Sequence, residues 1–343
     1  MLISLVFFSF GSMNAQILWD LKLEPKPYLQ AEPYGKILTT SVKKVIRINE
    51  ITKDTVSIRK YGKDKKLISE VNFVGSKRSS AFDYAYDKNL EYVTNKIHIG
   101  QNSVPQSRTT YSLKGNIKEI YNYSLFEKDT ATTYRQWGIF KYDAQDKLIK
   151  VSNVHNKDTI SVNEYFYEGD KMVKSKMFQH PLKKIETEYR LKYDGDNLPV
   201  EIDVYVIKDG AEALESYNHY LYSDKRVVLE KYNTRSKPDE EVKVNYTYTP
   251  QGDIQNILLN AGKDTIKVDY KYNNKRQLIG KKSFVTSRSA YKLWVNIPYD
   301  RVVQMPCEIS ESFIYDRYGN LIELMQAVGN VITRKDVFTL EYY

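Results

Sequence analysis

The chain has 343 residues, 30 of them tyrosine, with 41% hydrophobic and 28% charged residues and a net charge of +9. So many aromatic and β-branched residues exclude a disordered chain, and a single cysteine, Cys307, excludes an internal disulfide. The positive charge is spread in short mixed runs such as Lys63-Asp64-Lys65-Lys66. No zinc-finger, basic-helix or RNA-recognition pattern accompanies it, so no specific nucleic-acid partner is expected.

The chain opens with MLISLVFFSFGSMNAQ, an apolar run followed by small and polar residues. That pattern predicts a secretory signal peptide over residues 1–15, cut between Ala15 and Gln16. The run is too short for a transmembrane helix. An exported protein is therefore expected, in the periplasm, on the cell surface or secreted. Residues 16–50 include the proline-bearing EPKPYLQAEPYG and are expected to cap the first edge of the repeat array.

From residue 51 to 343 one phrase recurs. Its marker tyrosines are Tyr61, Tyr86, Tyr111, Tyr142, Tyr167, Tyr193, Tyr222, Tyr248, Tyr272 and Tyr315, with Tyr342 closing the chain. They stand about 25 residues apart, the spacing of a repeat architecture. Each is preceded by alternation of period two, as in DTIKVDYKY (264–272) and EEVKVNYTY (240–248), the signature of a strand with one buried face. Turn formers come next, as in Asp194-Gly195-Asp196-Asn197 and Tyr318-Gly319-Asn320. A second strand then starts at Leu148, Met172, Leu198, Ile254, Leu278 or Leu321. Each unit is thus a β-hairpin. The fold class is all-β, an extended antiparallel meander of about ten hairpins. Because open sheets seldom exceed about 10 strands without curling, the array should form a spiral or shell-like sheet that wraps on itself, tyrosines inward. A longer insertion over residues 283–312 breaks the rhythm.

Chemistry is sparse. His98, His155, His180 and His219 lack metal-ligand spacing, and no nucleophile elbow or phosphate-binding loop occurs. No cofactor, metal site or catalytic residue is expected, and Cys307 is expected to be a small buried side chain. Trp19, Trp137 and Trp294 are candidate ligand-contacting aromatics.

The phrase aromatic-x-Tyr-Asp-x-x-Gly-x-Leu, complete in Phe313-Ile314-Tyr315-Asp316-Arg317-Tyr318-Gly319-Asn320-Leu321, resembles the YD (Rhs-type) repeats of bacterial surface and toxin-associated proteins. The resemblance implies a β-sheet spiral or shell used for display, binding or encapsulation. Asp54-Thr55-Val56, Asp129-Thr130-Ala131, Asp158-Thr159-Ile160 and Asp264-Thr265-Ile266 are similar to the Asp-Thr-aliphatic O-glycosylation signal of one group of Gram-negative bacteria. That likeness implies modification at Thr55, Thr130, Thr159 and Thr265.

The expected function is a non-enzymatic binding, interaction or display module of the cell envelope, with a glycan, acidic polysaccharide or envelope protein as partner. The alternative is an outer-membrane β-barrel, which the hairpins and the aromatic end Leu340-Glu341-Tyr342-Tyr343 suit, although KLIKVSN (147–153) sets lysines on both faces. A polysaccharide-acting enzyme is third.

Overall fold

A computed structural model of the protein describes residues 42–85, 94–99, 105–114, 117–124, 135–155, 158–179, 184–208, 210–234, 237–287 and 304–343. Among the described residues there are 22 strands and no helix. The first eight are β1 (Val42–Asn49), β2 (Asp54–Tyr61), β3 (Leu67–Val74), β4 (Lys77–Ala85), β5 (Thr94–Ile99), β6 (Pro105–Lys114), β7 (Ile117–Ser124) and β8 (Arg135–Tyr142). Next come β9 (Leu148–His155), β10 (Asp158–Glu168), β11 (Lys171–Gln179), β12 (Lys184–Tyr193), β13 (Pro199–Lys208), β14 (Ala211–Ser223) and β15 (Arg226–Thr234). The last are β16 (Lys237–Tyr248), β17 (Ile254–Ala261), β18 (Asp264–Tyr272), β19 (Leu278–Val285), β20 (Cys307–Tyr315), β21 (Leu321–Val328) and β22 (Val331–Tyr342).

Each strand pairs antiparallel with the next, so the meander is as the repeats require. The even-numbered strands β2, β8, β12, β16, β18 and β20 end on a marker tyrosine; Tyr167 and Tyr222 lie one residue inside the ends of β10 and β14. Tyr111 lies inside β6, and Tyr86 falls outside the described residues.

The curl goes to completion. β22 also pairs with β1, from Val42↔Tyr342 to Asn49↔Asp336, so the two edges of the sheet meet. The expected cap, residues 16–50, therefore contributes β1 as a full member of the sheet; its residues before Val42 lie outside the described ones, as does the signal segment. Closure explains how so long a sheet avoids exposed edges.

One face is apolar and the other polar. On β16 and β18, Val242, Val244, Tyr246, Ile266, Val268 and Tyr270 are buried, while Glu241, Lys243, Asn245, Thr247, Lys267 and Lys271 lie on the opposite face. Buried side chains from Val151 on β9 to Leu324 on β21 join in one cluster, which places the buried face on the inside of the ring. At about 4.8 Å per strand, 22 strands give a girth of about 105 Å, and a round cylinder of that girth would have a wet lumen. Yet Ile257, Ile266, Val268, Leu278 and Val285 are 0% exposed, so the inner side chains of β17–β19 are covered from within the enclosure.

The repeated phrase has a local mechanism. Its tyrosine sits at a register shift beside the turn, as at Lys192/Tyr193, Thr247/Tyr248 and Ile314/Tyr315. The adjoining Asp caps the turn: Asp194 Oδ1 accepts from the amides of Asp196 and Leu198, and Asp316 Oδ1 from those of Tyr318 and Asn320, all at 2.8–2.9 Å. Asn273 does the same for Lys275 and Gln277. The fourth residue after the tyrosine takes a positive φ, 88° at Gly252 and 86° at Gly319, which is why the motif has glycine there. Lys65, Asp146, Asn197 and Arg276 hold the same place at φ 59–66° without it.

The hydroxyl of the tyrosine then reaches back one hairpin. Tyr167 donates to the Leu148 carbonyl, Tyr193 to Met172, Tyr222 to Pro199, Tyr248 to Val227 and Tyr315 to Leu278, at 2.6–2.9 Å. The ladder is thus a set of staples between successive units, in which each phenol satisfies a carbonyl next to a turn.

Candidate functional site

The inner wall changes character along the ring. Lys281 pairs with Glu311 at 3.0 Å on the same face as Tyr270, and Gln326 donates to Glu311. Further on, Asp336 is 1% exposed and receives Arg334 at 2.6 Å and Arg47 at 2.8 Å. Arg47 belongs to β1 and Asp336 to β22, so this cluster spans the strands that close the sheet. Its groups hold one another and serve the closure.

The outer face of β10–β16 is a different surface. Residues facing outward line up across strands as Glu164, Lys176, Glu188, Tyr205 and Leu214, beside Phe166, Lys174, Arg190, Asp203 and Tyr217. A third row runs Lys192, Glu201, His219, Lys231 and Lys243. Phe166, Leu214 and Leu221 are exposed apolar groups within this grid, at 38%, 51% and 57%. Cations flank the rings: Lys174 lies 5.1 Å from the Phe166 centroid, and the Arg190 guanidinium lies 4.1 Å from that of Tyr205.

Most of these charges are already paired. Lys176 and Arg190 both reach Glu188, at 3.3 and 2.6 Å, and Arg190 also reaches Glu212 at 2.6 Å. Burial works to raise the Glu188 carboxyl, but hydrogen bonds from Arg190 and Lys176 outweigh it and hold it below the ordinary carboxylate value. Hydrogen bonds from Arg190 to Glu212 and then Glu188 hold the guanidinium proton more tightly than usual. Lys192 and Glu201 pair at 2.5 Å, and Lys243 and Glu241 at 3.1 Å. Tyr217 donates to Glu241 and packs its ring 4.6 Å from that of His219. The result is a rigid, internally neutralised platform of rings, aliphatic tips and polar groups. It suits a ligand with an apolar face and a hydroxyl rim better than a bare polyanion.

Within this platform the ligand atoms of Glu201, Asp203 and His219 lie within 4.8 Å of one another. Spacing along the chain hides this trio, because His219 meets Glu201 across a strand pair.

A hollow of about 640 Å³ lies between the β18–β19 and β20–β21 turns, lined by Tyr272, Asn273, Gln277, Phe313, Tyr315 and Asp316 among others. Its turn-forming groups are already engaged, since Asn273 Oδ1 and Asp316 Oδ1 cap their own turns.

Of the other sequence candidates, Trp19 and Trp294 fall outside the described residues, and Trp137 lies in β8. The central part of the insertion, residues 288–303, and Thr130 also fall outside. Thr55, Thr159 and Thr265 each occupy the second position of a strand, β2, β10 and β18. Thr265 is tied down: its amide donates to Thr286 Oγ1 and its hydroxyl to Asn260. Cys307 is buried on the inner face opposite Val285, where burial raises its thiol pKa. No helix of the described residues is long and apolar enough to cross a membrane.

No known protein family and no curated protein matches the sequence. Among solved structures, the crystal structure of TcdB2-TccC3-TEV is similar over 86% of this chain, at 12% identity and a TM-score of 0.42. The chain spans 16% of that protein's length. A porin-like protein from Bacteroides uniformis is similar over 90% of this chain and 100% of its own, at 10% identity and a TM-score of 0.30.

Proposed function

We propose that the protein is an exported, non-enzymatic YD-type repeat module that binds a glycan at the cell envelope through the outer face of β10–β16. The observation that carries the reading is the exposed Phe166, Leu214 and Leu221 among Tyr205, Tyr217 and paired charges on a closed sheet. A pyranose ring stacks its C–H face on such rings while its hydroxyls meet the surrounding carboxylates and guanidinium groups. The turn chemistry of Tyr315-Asp316 and Tyr193-Asp194 supports the YD-type assignment, and the secretory pattern of residues 1–15 supports export.

The test is a glycan array followed by calorimetry on the hits. Phe166→Ala and Tyr205→Ala are each expected to weaken binding about three- to tenfold with an unchanged melting temperature. Wild-type affinity in both variants would place the ligand elsewhere, and release of shorter sugars would replace the module with a hydrolase.

One observation favours a second reading. Among the described residues, an even number of antiparallel strands closed by the first and last is the topology of an outer-membrane barrel. The polarity is inside out for that role. A lipid-facing band does not tolerate Lys176, Arg190, Lys243, Lys267 and Lys271 on the outside while Ile266 and Val268 line the interior.

A further inference from the structure

We propose that Glu201, Asp203 and His219 form a binding site for a divalent transition-metal ion of the zinc class. Glu201 and Asp203 are alternate residues of β13, so both project from the outer face about 7 Å apart along the strand. His219 of β14 stands directly opposite Glu201, where cross-strand Cβ atoms are about 5 Å apart. The imidazole Nε2 already lies 2.9 Å from Asp203 Oδ1, and the Tyr217 ring packs 4.6 Å from the imidazole, limiting its rotation. Two carboxylates and one imidazole on adjacent hydrogen-bonded strands make a preformed three-point site, with the open side left for water or a ligand oxygen.

The donor set selects the ion. Calcium and magnesium take oxygen ligands, whereas a nitrogen donor beside two carboxylates suits zinc, nickel or cobalt. Two negative charges balance the ion, so none is buried uncompensated. Three basic neighbours bear on the site, and Lys231 of β15 stands opposite His219 on the side away from Glu201. Arg190 stands opposite Asp203, but its donors are engaged by Glu188 and Glu212. Lys192 holds Glu201 Oε2 at 2.5 Å, yet its side chain is 69% exposed, and such a surface pair yields to a divalent ion at small cost. The site lies within the surface proposed to bind glycan, but its occupancy by metal does not depend on that reading.

The experiment is a calorimetric titration of the full chain with Zn²⁺, paired with Cu²⁺ electron paramagnetic resonance. Zn²⁺ is expected to bind at one site per chain, and Cu²⁺ to show coupling to a single imidazole nitrogen. His219→Ala and Asp203→Asn should each lower Zn²⁺ affinity by more than about tenfold, the scale on which even outer-sphere partners act. His219→Ala should also abolish the nitrogen coupling. Lys192→Ala removes the competing ammonium and should tighten binding, a gain that a purely structural role for the trio does not produce. Unchanged far-ultraviolet circular dichroism verifies the fold of each variant. Absence of Zn²⁺ binding in the wild type overturns the proposal, as does binding of undiminished affinity in both His219→Ala and Asp203→Asn.

Discussion

Asp336→Ala is expected to destabilise the protein by about 3 kcal/mol and to loosen the closure of the sheet. The carboxylate is 1% exposed and is shared by Arg334 of its own strand and Arg47 of β1. Truncating it leaves two guanidinium groups on the inner wall without their counter-charge. Breaking a buried pair in this way costs about 3–5 kcal/mol. The low end applies because Arg47 and Arg334 are about a third exposed and recover some hydration. The damage should concentrate at the β1–β22 seam, which is also tied by the more exposed Lys44–Glu341 pair at 2.8 Å. Denaturant titration gives the stability change, and hydrogen exchange locates it. Amides of β1 and β22 should lose protection before those of β16–β18. Opened edges are also free to pair with other chains, so the variant should form concentration-dependent oligomers. Uniform loss of protection around the ring would mean that Asp336 supports the fold generally and does not key the closure.

The seam also marks where the sequence stops being legible. The hairpin unit can be read because its determinants are local: Asp194 caps amides two and four residues ahead, and the positive φ falls at a fixed place in the turn. Strand starts at Leu148, Ile254, Leu278 and Leu321 come from that punctuation. Arg47 and Asp336 are 289 residues apart, and nothing in either neighbourhood says that they meet. Curling is required by strand number, but no pattern of period two specifies the partner of the first strand. The same limit hides Glu201, Asp203 and His219, whose proximity depends on the register between β13 and β14. It hides the polar stripe of Lys281, Glu311 and Gln326 as well, since each alone looks like an ordinary surface residue. The tyrosines are legible as a ladder, but their hydrogen bonds are not, because the acceptors are backbone carbonyls about 20 residues back, which no side-chain pattern identifies.

That ladder predicts a steep alkaline unfolding. Burial raises the phenol pKa of Tyr193 and of Tyr248 to about 12, and it raises Tyr167 and Tyr222 in the same direction. An unfolded tyrosine ionises at about 10. The folded state therefore retains protons that the unfolded state releases, and stability falls with pH wherever that holds. The contribution of Tyr193 and Tyr248 is complete below about pH 10 and is lost as the pH climbs towards about 12. The chemistry agrees with the sign, since a phenolate cannot donate to the carbonyls of Met172 or Val227 and would face them with like polarity. Because Tyr193 and Tyr248 titrate over the same interval and each joins neighbouring units, the loss should be cooperative, with tyrosinate absorbance and β-sheet circular dichroism changing together. Tyr248→Phe separates the two contributions. At neutral pH it should cost about 1 kcal/mol, the value of one hydrogen bond. Above about pH 10 it should flatten the decline, because one titrating group is gone. Ionisation of Tyr193 and Tyr248 near pH 10 with the sheet intact would show that these phenols are open to solvent and that the staples do not form.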